Sequence, residues 1–382
     1  MKNFVKALYA DLLHRIDLVI AEINGMEHHE DYRTRFIEST LLKIREIRKP
    51  IQQALEIGGL EYDNLSGNYL FQYNRLNREF NAYHTYRFLA IKNYGDPEIF
   101  FYRLIKKIYK EHRITSVPPI VSTISNHDYY YWAVPMLEII AIPSGEENSL
   151  LNLPDMYHEI GHLLYSMYEG RSCELSSPEV EKHFKREIAT LHDKKQYAHF
   201  GAEVERAKYL WQVSWLEEFS CDLAGTYMTG AAYAWTNLKL ISADHGSSKI
   251  FEYNDTHPAN EARMRIILLM LEKLGLTEEK KQIEETWQRF LSEAEIFRPS
   301  AYKLIYPDKL FKLIIDEFIG FYDNADLAPC TELQGAQNKS VSELLSAAWQ
   351  TAQTDPLNFY QHETDVINGL KAQFGLSTGA SK

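Results

Sequence analysis

Apolar residues recur every three or four positions along most of the chain, which is the spacing of one face of an α-helix. Leu41, Ile44 and Ile47 are examples from the second such segment. Asp96 and Pro97 are a typical helix start, with an N-terminal cap followed by proline in the first turn. The pattern predicts helices over 2–23, 31–55, 68–92, from 96 onward, 154–168, 177–192, 202–227, 260–274, 278–297, 308–321, 341–351 and 356–374.

The pattern changes to β-branched and aromatic residues between residues 114 and 142. Pro118, Pro119 and Pro135 lie in this stretch and favour edge strands or bends, since proline cannot donate to a sheet ladder. The clearest strand is predicted over 137–142 (LEIIAI). The predicted fold class is therefore α+β and predominantly α-helical, with one small sheet.

The length of 382 residues allows about two to three domains. The changes in pattern divide the chain into a helical N-terminal accessory domain (1–112), a core (113–300) and a C-terminal helical region (301–382). Hydrophobic residues make up 45% and aromatic residues 13% of the sequence. Such a composition excludes an intrinsically disordered chain.

The formal net charge of -12 argues against a nucleic-acid partner, because nucleic-acid binders usually carry a basic excess. The local basic run over 103–113 is interpreted as a solvated helix face. Neither the N-terminus nor any later segment has an apolar run that would serve as a signal peptide or a membrane span. We therefore predict a cytoplasmic protein with no membrane partner.

The three cysteines, Cys173, Cys221 and Cys330, are far apart and show no C-x-x-C spacing. A disulfide framework or an all-cysteine zinc site is thus not expected, and a reducing compartment fits. Histidine and carboxylate side chains remain as the available metal ligands.

The sequence His158-Glu159-Ile160-Gly161-His162 is an H-E-x-x-H motif inside a predicted helix. Residues four apart lie on one helix face, so both imidazoles can share one zinc ion. Glu159 lies beside that face as a candidate general base. Residue counts predict roughly 0.05 chance matches to such a motif. The alternative is a helix that merely carries two surface histidines.

A catalytic zinc site needs a third protein ligand, and the best candidate is Glu218. Asp222 lies one turn further along the same predicted helix, where it can hold a ligand histidine in position. Glu217 is the rival of Glu218, but its i+4 position is Cys221, so it lacks such a carboxylate partner. The alternative is an acidic helix surface.

H-E-x-x-H followed by E-x-x-x-D resembles the gluzincin zinc metallopeptidases. The segment from Thr256 to Arg263 is similar to the T-H-P-x-x-x-x-R segment of the HtpX-like and CAAX-prenyl-protease-like peptidases. The resemblance covers roughly residues 137–275. It implies a zincin-like catalytic core with added helical N- and C-terminal layers. It implies the zinc ligands His158, His162 and Glu218, the general base and acid Glu159, the outer partner Asp222, the oxyanion donor His257 and its support Arg263.

The resemblance also implies a role for the strand over 137–142. In gluzincins an edge strand pairs with the extended peptide substrate, although an ordinary core strand fits this segment equally well. Tyr253 and Tyr227 are weaker candidates for a second oxyanion donor. The membrane-bound members have transmembrane helices that this sequence lacks, so their membrane substrates are not expected here.

The sequence therefore predicts a zinc-dependent peptidase with one Zn²⁺ per chain and a peptide or protein substrate. Three alternatives remain open. The chain could be a non-catalytic zincin-fold module that binds a peptide or partner, although the retained Glu159 counts against it. It could be a zinc hydrolase of a non-peptide amide or ester bond, or a purely structural helical protein. The oligomeric state is left open.

Overall fold

The computed structural model describes residues 2–27, 36–56, 66–126, 130–243, 249–293, 300–333, 335 and 339–377. These residues are mostly helical, as the sequence predicts, with one small sheet. The first five helices are α1 (Lys2–Gly25), α2 (Glu38–Glu56), α3 (Ser66–Ala82), α4 (Leu89–Lys92) and α5 (Asp96–Glu111). The strands are β1 (Ile120–Ser125), β2 (Trp132–Val134) and β3 (Ile139–Pro143). The later helices are α6 (Asp155–Met167), α7 (Ser176–Asp193), α8 (Tyr197–Leu210), α9 (Leu216–Thr229), α10 (Ala231–Ala243), α11 (Asn260–Lys273), α12 (Thr277–Glu293), α13 (Tyr302–Ile305), α14 (Asp308–Asn324), α15 (Val341–Thr354) and α16 (Phe359–Gln373).

Helix boundaries follow the predicted periodicity where capping residues are strong. The predicted helix start at residue 96 is confirmed, with Pro97 in the first turn of α5, but the N-terminal cap is Gly95 and Asp96 is the first helical residue. The predicted helix over 31–55 appears as α2, while its residues 31–35 and the predicted stop at 58–59 lie outside the described residues. The helix predicted from residue 202 to 227 or beyond ends at Thr229, because Gly230 adopts a positive φ of 62°.

The sheet has the strand order β1-β3-β2, with β1 parallel and β2 antiparallel to β3. Of the two interpretations left open for residues 137–142, the ordinary core strand fits, since β3 is paired on both sides. The chain bends at Pro135, as the proline in this stretch favours. A 3₁₀ turn at Pro135–Leu137 and a left-handed Glu138 (φ 53°) reverse the chain between β2 and β3.

The sheet separates two buried clusters of apolar side chains. Side chains alternate between the two faces of a strand, and in β3 Ile139 belongs to the N-terminal cluster whereas Ile140 belongs to the larger one. The N-terminal cluster is built mainly by α1, α2 and α3, while α5 contributes Phe100 and Leu104 to the larger cluster. The domain boundary predicted at residue 112 stays a prediction, and the two clusters divide earlier, between Ile91 and Phe100.

Helices α6 and α9 pack closely because Gly161 leaves space for the opposite backbone. A Cβ atom at Gly161 would lie 2.8 Å from the Cα of Cys221 and 3.2 Å from the Cβ of Ala224. This close approach brings the H-E-x-x-H motif of α6 against the acidic first turn of α9.

We expect Gly161→Ala to destabilise the protein by about 1–3 kcal/mol, because the added methyl group forces two packed backbones apart. Gly320→Ala in α14 is the matched control, since nothing lies within 4 Å of its added methyl group. Helix propensity predicts a gain of about 0.5–1 kcal/mol for this control. Denaturant unfolding measures both variants, and equal stabilities would contradict the close packing of α6 on α9.

A π turn at Trp211–Trp215 joins α8 to α9. Such a turn carries an extra residue and rotates the helix face that follows it. It is anchored by aromatic packing, since Trp215 stacks on Tyr306 with ring centroids 5.3 Å apart. Trp211 also donates from its indole nitrogen to the carbonyl oxygen of Ile305 at 2.9 Å. The rotation sets which residues of α9 face α6.

His112, after the end of α5, is fully buried and donates from Nδ1 to the carbonyl oxygen of Ala328 at 2.7 Å. Its Nε2 has no hydrogen-bond partner among the described residues. Burial lowers the pKa of His112 from 6.5 to about 4, against a raising effect of the Ala328 hydrogen bond. The native state therefore holds this imidazole neutral.

The stability of the protein should consequently fall as the pH falls from 6.5 towards 4. In that pH window His112 is protonated in the unfolded state but stays neutral in the native state. One such site lowers the free energy of unfolding by about 1.4 kcal/mol for each unit that the pH falls. His112→Asn keeps a donor for Ala328 and removes this proton linkage. Urea unfolding at pH 7, 6 and 5 should give a shallower pH slope for the variant, and equal slopes would contradict the assignment.

Candidate metal centre

Helix α6 carries three residues of the predicted site. His158 and Glu159 are each 5% exposed, and His162 is half-buried. Met156 and Ile160 are fully buried among apolar side chains and fix the rotation of the helix. The imidazole rings of the two histidines meet edge to face, with centroids 5.0 Å apart.

The carboxylate of Glu218 on α9 reaches both histidines. Its Oε2 lies 3.4 Å from Nε2 of His158, and its Oε1 lies 3.6 Å from Nε2 of His162. Glu218 is 7% exposed, and its Oε2 accepts no hydrogen bond from the described residues. One carboxylate thus lies within 3.6 Å of the Nε2 atoms of both histidines.

Each histidine is also held from behind by a carboxylate of α9. Nδ1 of His158 lies 3.1 Å from Oδ1 of Asp222, and Nδ1 of His162 lies 2.9 Å from Oε1 of Glu217. A carboxylate at Nδ1 keeps the proton on that nitrogen and leaves the Nε2 lone pair free for a metal. Both Nε2 lone pairs then point towards Glu218.

Sequence reasoning missed the contact of Glu217. It rejected this residue because Cys221, at its i+4 position, is no carboxylate. The signal was the pair Glu217-Glu218 itself, since neighbouring helix residues diverge by about 100°. One of the two can therefore face both Nε2 atoms while the other reaches the back of His162.

Behind His158, a buried network holds Asp222. Arg263 donates from Nε and Nη2 to the two carboxylate oxygens, at 2.9 and 2.6 Å. The hydroxyl of Tyr233 donates to Oδ1 at 2.6 Å and lies 3.0 Å from Nδ1 of His158. Burial alone would raise the pKa of Asp222, but Arg263 and His158 hold it well below its usual range. Arg263 is thus paired with Asp222, and sequence reasoning missed Tyr233.

The charges of the site favour a bound cation. Burial raises the pKa of Glu218, but the neighbouring histidines lower it to about 2. Burial lowers the pKa of His158, yet Asp222 and Glu218 raise it well above its usual value. The pKa of Glu159 is raised, chiefly by burial. The carboxylates therefore stabilise positive charge between the two imidazoles.

Cys221 and Glu218 are the two candidates for the third protein ligand of a metal at this site. Ligand atoms of His158, His162 and Cys221 lie within 4.8 Å of one another. Burial and then the nearby Glu218 raise the pKa of the Cys221 thiol well above 9, which disfavours the thiolate that metals bind. Glu218 is already ionised and touches both Nε2 atoms. Two imidazoles and this carboxylate are a donor set found in catalytic zinc sites.

The side chains of Glu159 and His158 open into a cleft of about 240 Å³. Its lining residues are Tyr130, Tyr131, Asp155, His158, Glu159, Asn237, Leu240, Ile241, His257, Asn260 and Arg263. A larger cavity of about 560 Å³ near Trp235 and Trp349 is lined by none of these residues.

His257 lies at the mouth of this cleft. Its Nε2 is 3.7 Å from Oε2 of Glu218, its Nδ1 is 2.8 Å from the hydroxyl of Thr256, and its side chain is 50% exposed. The predicted second donors lie elsewhere. Tyr227 is wrong as a donor, because its buried hydroxyl donates to the carbonyl oxygen of Leu327 at 2.8 Å. Tyr253 packs edge-on against an indole of the core and does not line the cleft.

The structure therefore brings together seven residues named from the sequence: His158, Glu159, His162, Glu218, Asp222, His257 and Arg263. In comparisons with known proteins, no family model, curated protein or solved structure matches this chain. The function is accordingly inferred from the geometry of the site.

Two global features bear on the predictions from composition. Cys173, Cys221 and Cys330 are buried and unpaired, in line with the expected lack of a disulfide framework. Within the described ranges, no helix has both the length and the apolar character required to cross a bilayer.

Proposed function

We propose that this protein is a zinc-dependent peptidase of gluzincin type. His158, His162 and Glu218 would hold one zinc ion, and residues 113–300 would form a zincin-like core around it. The single observation that carries the proposal is the contact of one buried carboxylate, Glu218, with both Nε2 atoms of the H-E-x-x-H histidines. A bound zinc ion supplies Lewis acidity and lowers the pKa of its water.

Glu159 would act as the general base and then as the general acid. It lines the cleft beside His158, and its burial raises its pKa towards the operating pH, where proton transfer in both directions is efficient. His257 would donate to the oxyanion of the tetrahedral intermediate from the cleft mouth. Because its side chain is half-exposed, it can move to meet a bound substrate.

Glu217, Asp222, Tyr233 and Arg263 would act as positioning residues. The resemblance implies that Arg263 supports the oxyanion site. The bidentate contact with Asp222 favours a different role, in which Arg263 fixes the carboxylate that orients His158. Such outer partners set the tautomer and ring orientation of a ligand histidine.

The proposal is tested by digesting a peptide library with zinc-loaded protein and with protein stripped by a chelator. We expect peptide-bond cleavage only by the zinc-loaded form, restored when zinc is returned to the stripped form. Ester hydrolysis without peptide cleavage would favour the non-peptide hydrolase. Zinc-dependent peptide binding without turnover would favour the non-catalytic module, and both outcomes would contradict the proposal.

A further inference from the structure

One carboxylate of the cleft has no hydrogen-bond or ion-pair partner among the residues that the structure describes. Asp155 lies in the first turn of α6, is 8% exposed and lines the cleft together with Glu159. Burial raises the pKa of this carboxyl group to about 7, while the nearby charges of His158 and Arg263 act to lower it. A buried, unpaired carboxylate is costly, so such groups are normally matched by a positive or donating partner.

A second polar group of the same cleft is also unmatched. The hydroxyl oxygen of Tyr130 is buried and has no hydrogen-bond partner among the described residues. Tyr130 adopts a φ of 55°, a left-handed conformation that bulky residues rarely take and that clusters at functional sites. The backbone N–H of Tyr130 donates to the carbonyl oxygen of Asn126 at 2.8 Å, and its side chain lines the cleft.

We propose that Asp155, assisted by Tyr130, binds the protonated α-amino group of a peptide, so that the enzyme removes residues from free N-termini. An ammonium group offers three donors and no acceptor, which suits a carboxylate and a phenol oxygen that both lack partners. The inference rests on the proposed peptidase function, since it takes the position of Glu159 as the position of the peptide bond that is hydrolysed.

The spacing along α6 favours an α-amino group over a basic side chain. Asp155 and Glu159 are four residues apart on one helix face, which is about 6 Å along the axis. An α-amino nitrogen lies only about 2.5 Å from the carbonyl carbon of its own residue. A lysine ammonium lies several bonds further from that carbon. An N-terminal amine can thus contact Asp155 while its carbonyl group faces Glu159.

The size and charge of the cleft also favour a bound α-amino group. A volume of about 240 Å³ is small for a peptide-binding site and suits one residue. Asp155 and Glu159 of the lining are acidic, and the one arginine among the described lining residues, Arg263, is already paired with Asp222. A carboxylate or phosphate group of a substrate would therefore be repelled at Asp155.

The test compares peptides that are identical except for a free or an acetylated N-terminus, using the zinc-loaded full chain. We expect kcat/KM to be at least about 100-fold higher for the free form, because acetylation removes the charge that Asp155 contacts. Asp155→Asn should lower kcat/KM for free peptides by about 100-fold, and Asp155→Glu should retain part of the activity. The control Glu174→Gln removes an exposed carboxylate outside the cleft and should leave kcat/KM unchanged.

Binding separates this inference from the proposed function. Calorimetry with zinc-loaded Glu159→Gln protein should show tighter binding of a free dipeptide than of its acetylated form, and the added Asp155→Asn change should abolish the difference. Zinc content and thermal melting establish that the Asp155 variants are folded. Equal cleavage of free and acetylated peptides would overturn the role of Asp155 while leaving the peptidase intact. If no peptide is cleaved, the peptidase function fails, and equal binding of the two dipeptides then overturns the amine site as well.

Discussion

Replacing Glu218 by glutamine is expected to weaken zinc binding by at least about 10³-fold, more than the 10–100-fold that loss of an outer partner costs. The change keeps the volume of the side chain and removes the charge that meets both imidazoles. Glu218 Oε2 is buried without a hydrogen bond from the described residues, and the Nε2 atoms of His158 and His257 lie 3.4 and 3.7 Å from it. Zinc affinity is measured by competition with a chromophoric chelator.

Two matched variants show whether the third zinc ligand is Glu218 or Cys221. Glu217→Gln removes the same charge one residue earlier and should cost only about 10–100-fold, since this carboxylate touches the back of His162. Cys221→Ala removes the rival sulfur and should leave the affinity within a few-fold. Loss of zinc in Cys221→Ala with retention in Glu218→Gln would assign the site to two histidines and a thiolate instead.

Replacing Glu159 by glutamine is expected to lower kcat by about 10³–10⁴-fold, because an amide cannot accept the proton of the attacking water. The zinc affinity should remain near the wild-type value, since Glu159 lines the cleft and is not one of the proposed zinc ligands. Single-turnover kinetics on a quenched fluorescent peptide measures the loss, with zinc content determined on the same samples. Full activity in this variant would remove Glu159 from the mechanism.

The local part of the site followed from the sequence. Residues four apart on a helix share a face whatever the fold, so the pairs His158/His162 and Glu218/Asp222 were predictable from spacing alone. The helix start at Asp96-Pro97 was predictable for the same reason, because proline is favoured in the first turn of a helix. These features depend on neighbours within one turn.

The parts that were missed or left open depend on how distant elements meet. The contact between Glu217 and His162 requires the close crossing of α6 and α9 at Gly161 and the rotation set by the π turn before α9. The central position of β3 depends on pairing with two strands on opposite sides, which no local pattern of its own residues encodes. Asp155 looked like an ordinary residue of a helix start, because the cleft that leaves it unpaired is built by other elements.

The most direct measurement of the central claim is a peptide-library digest by wild-type and Glu159→Gln proteins, each carrying about one zinc ion per chain. Zinc occupancy is verified before and after the digest, so that a difference in cleavage reports the base and not the metal. We predict peptide-bond cleavage by the wild type and a loss of at least about 10³-fold in the variant. Equal cleavage by both proteins, or no cleavage by fully zinc-loaded wild type, would contradict the account.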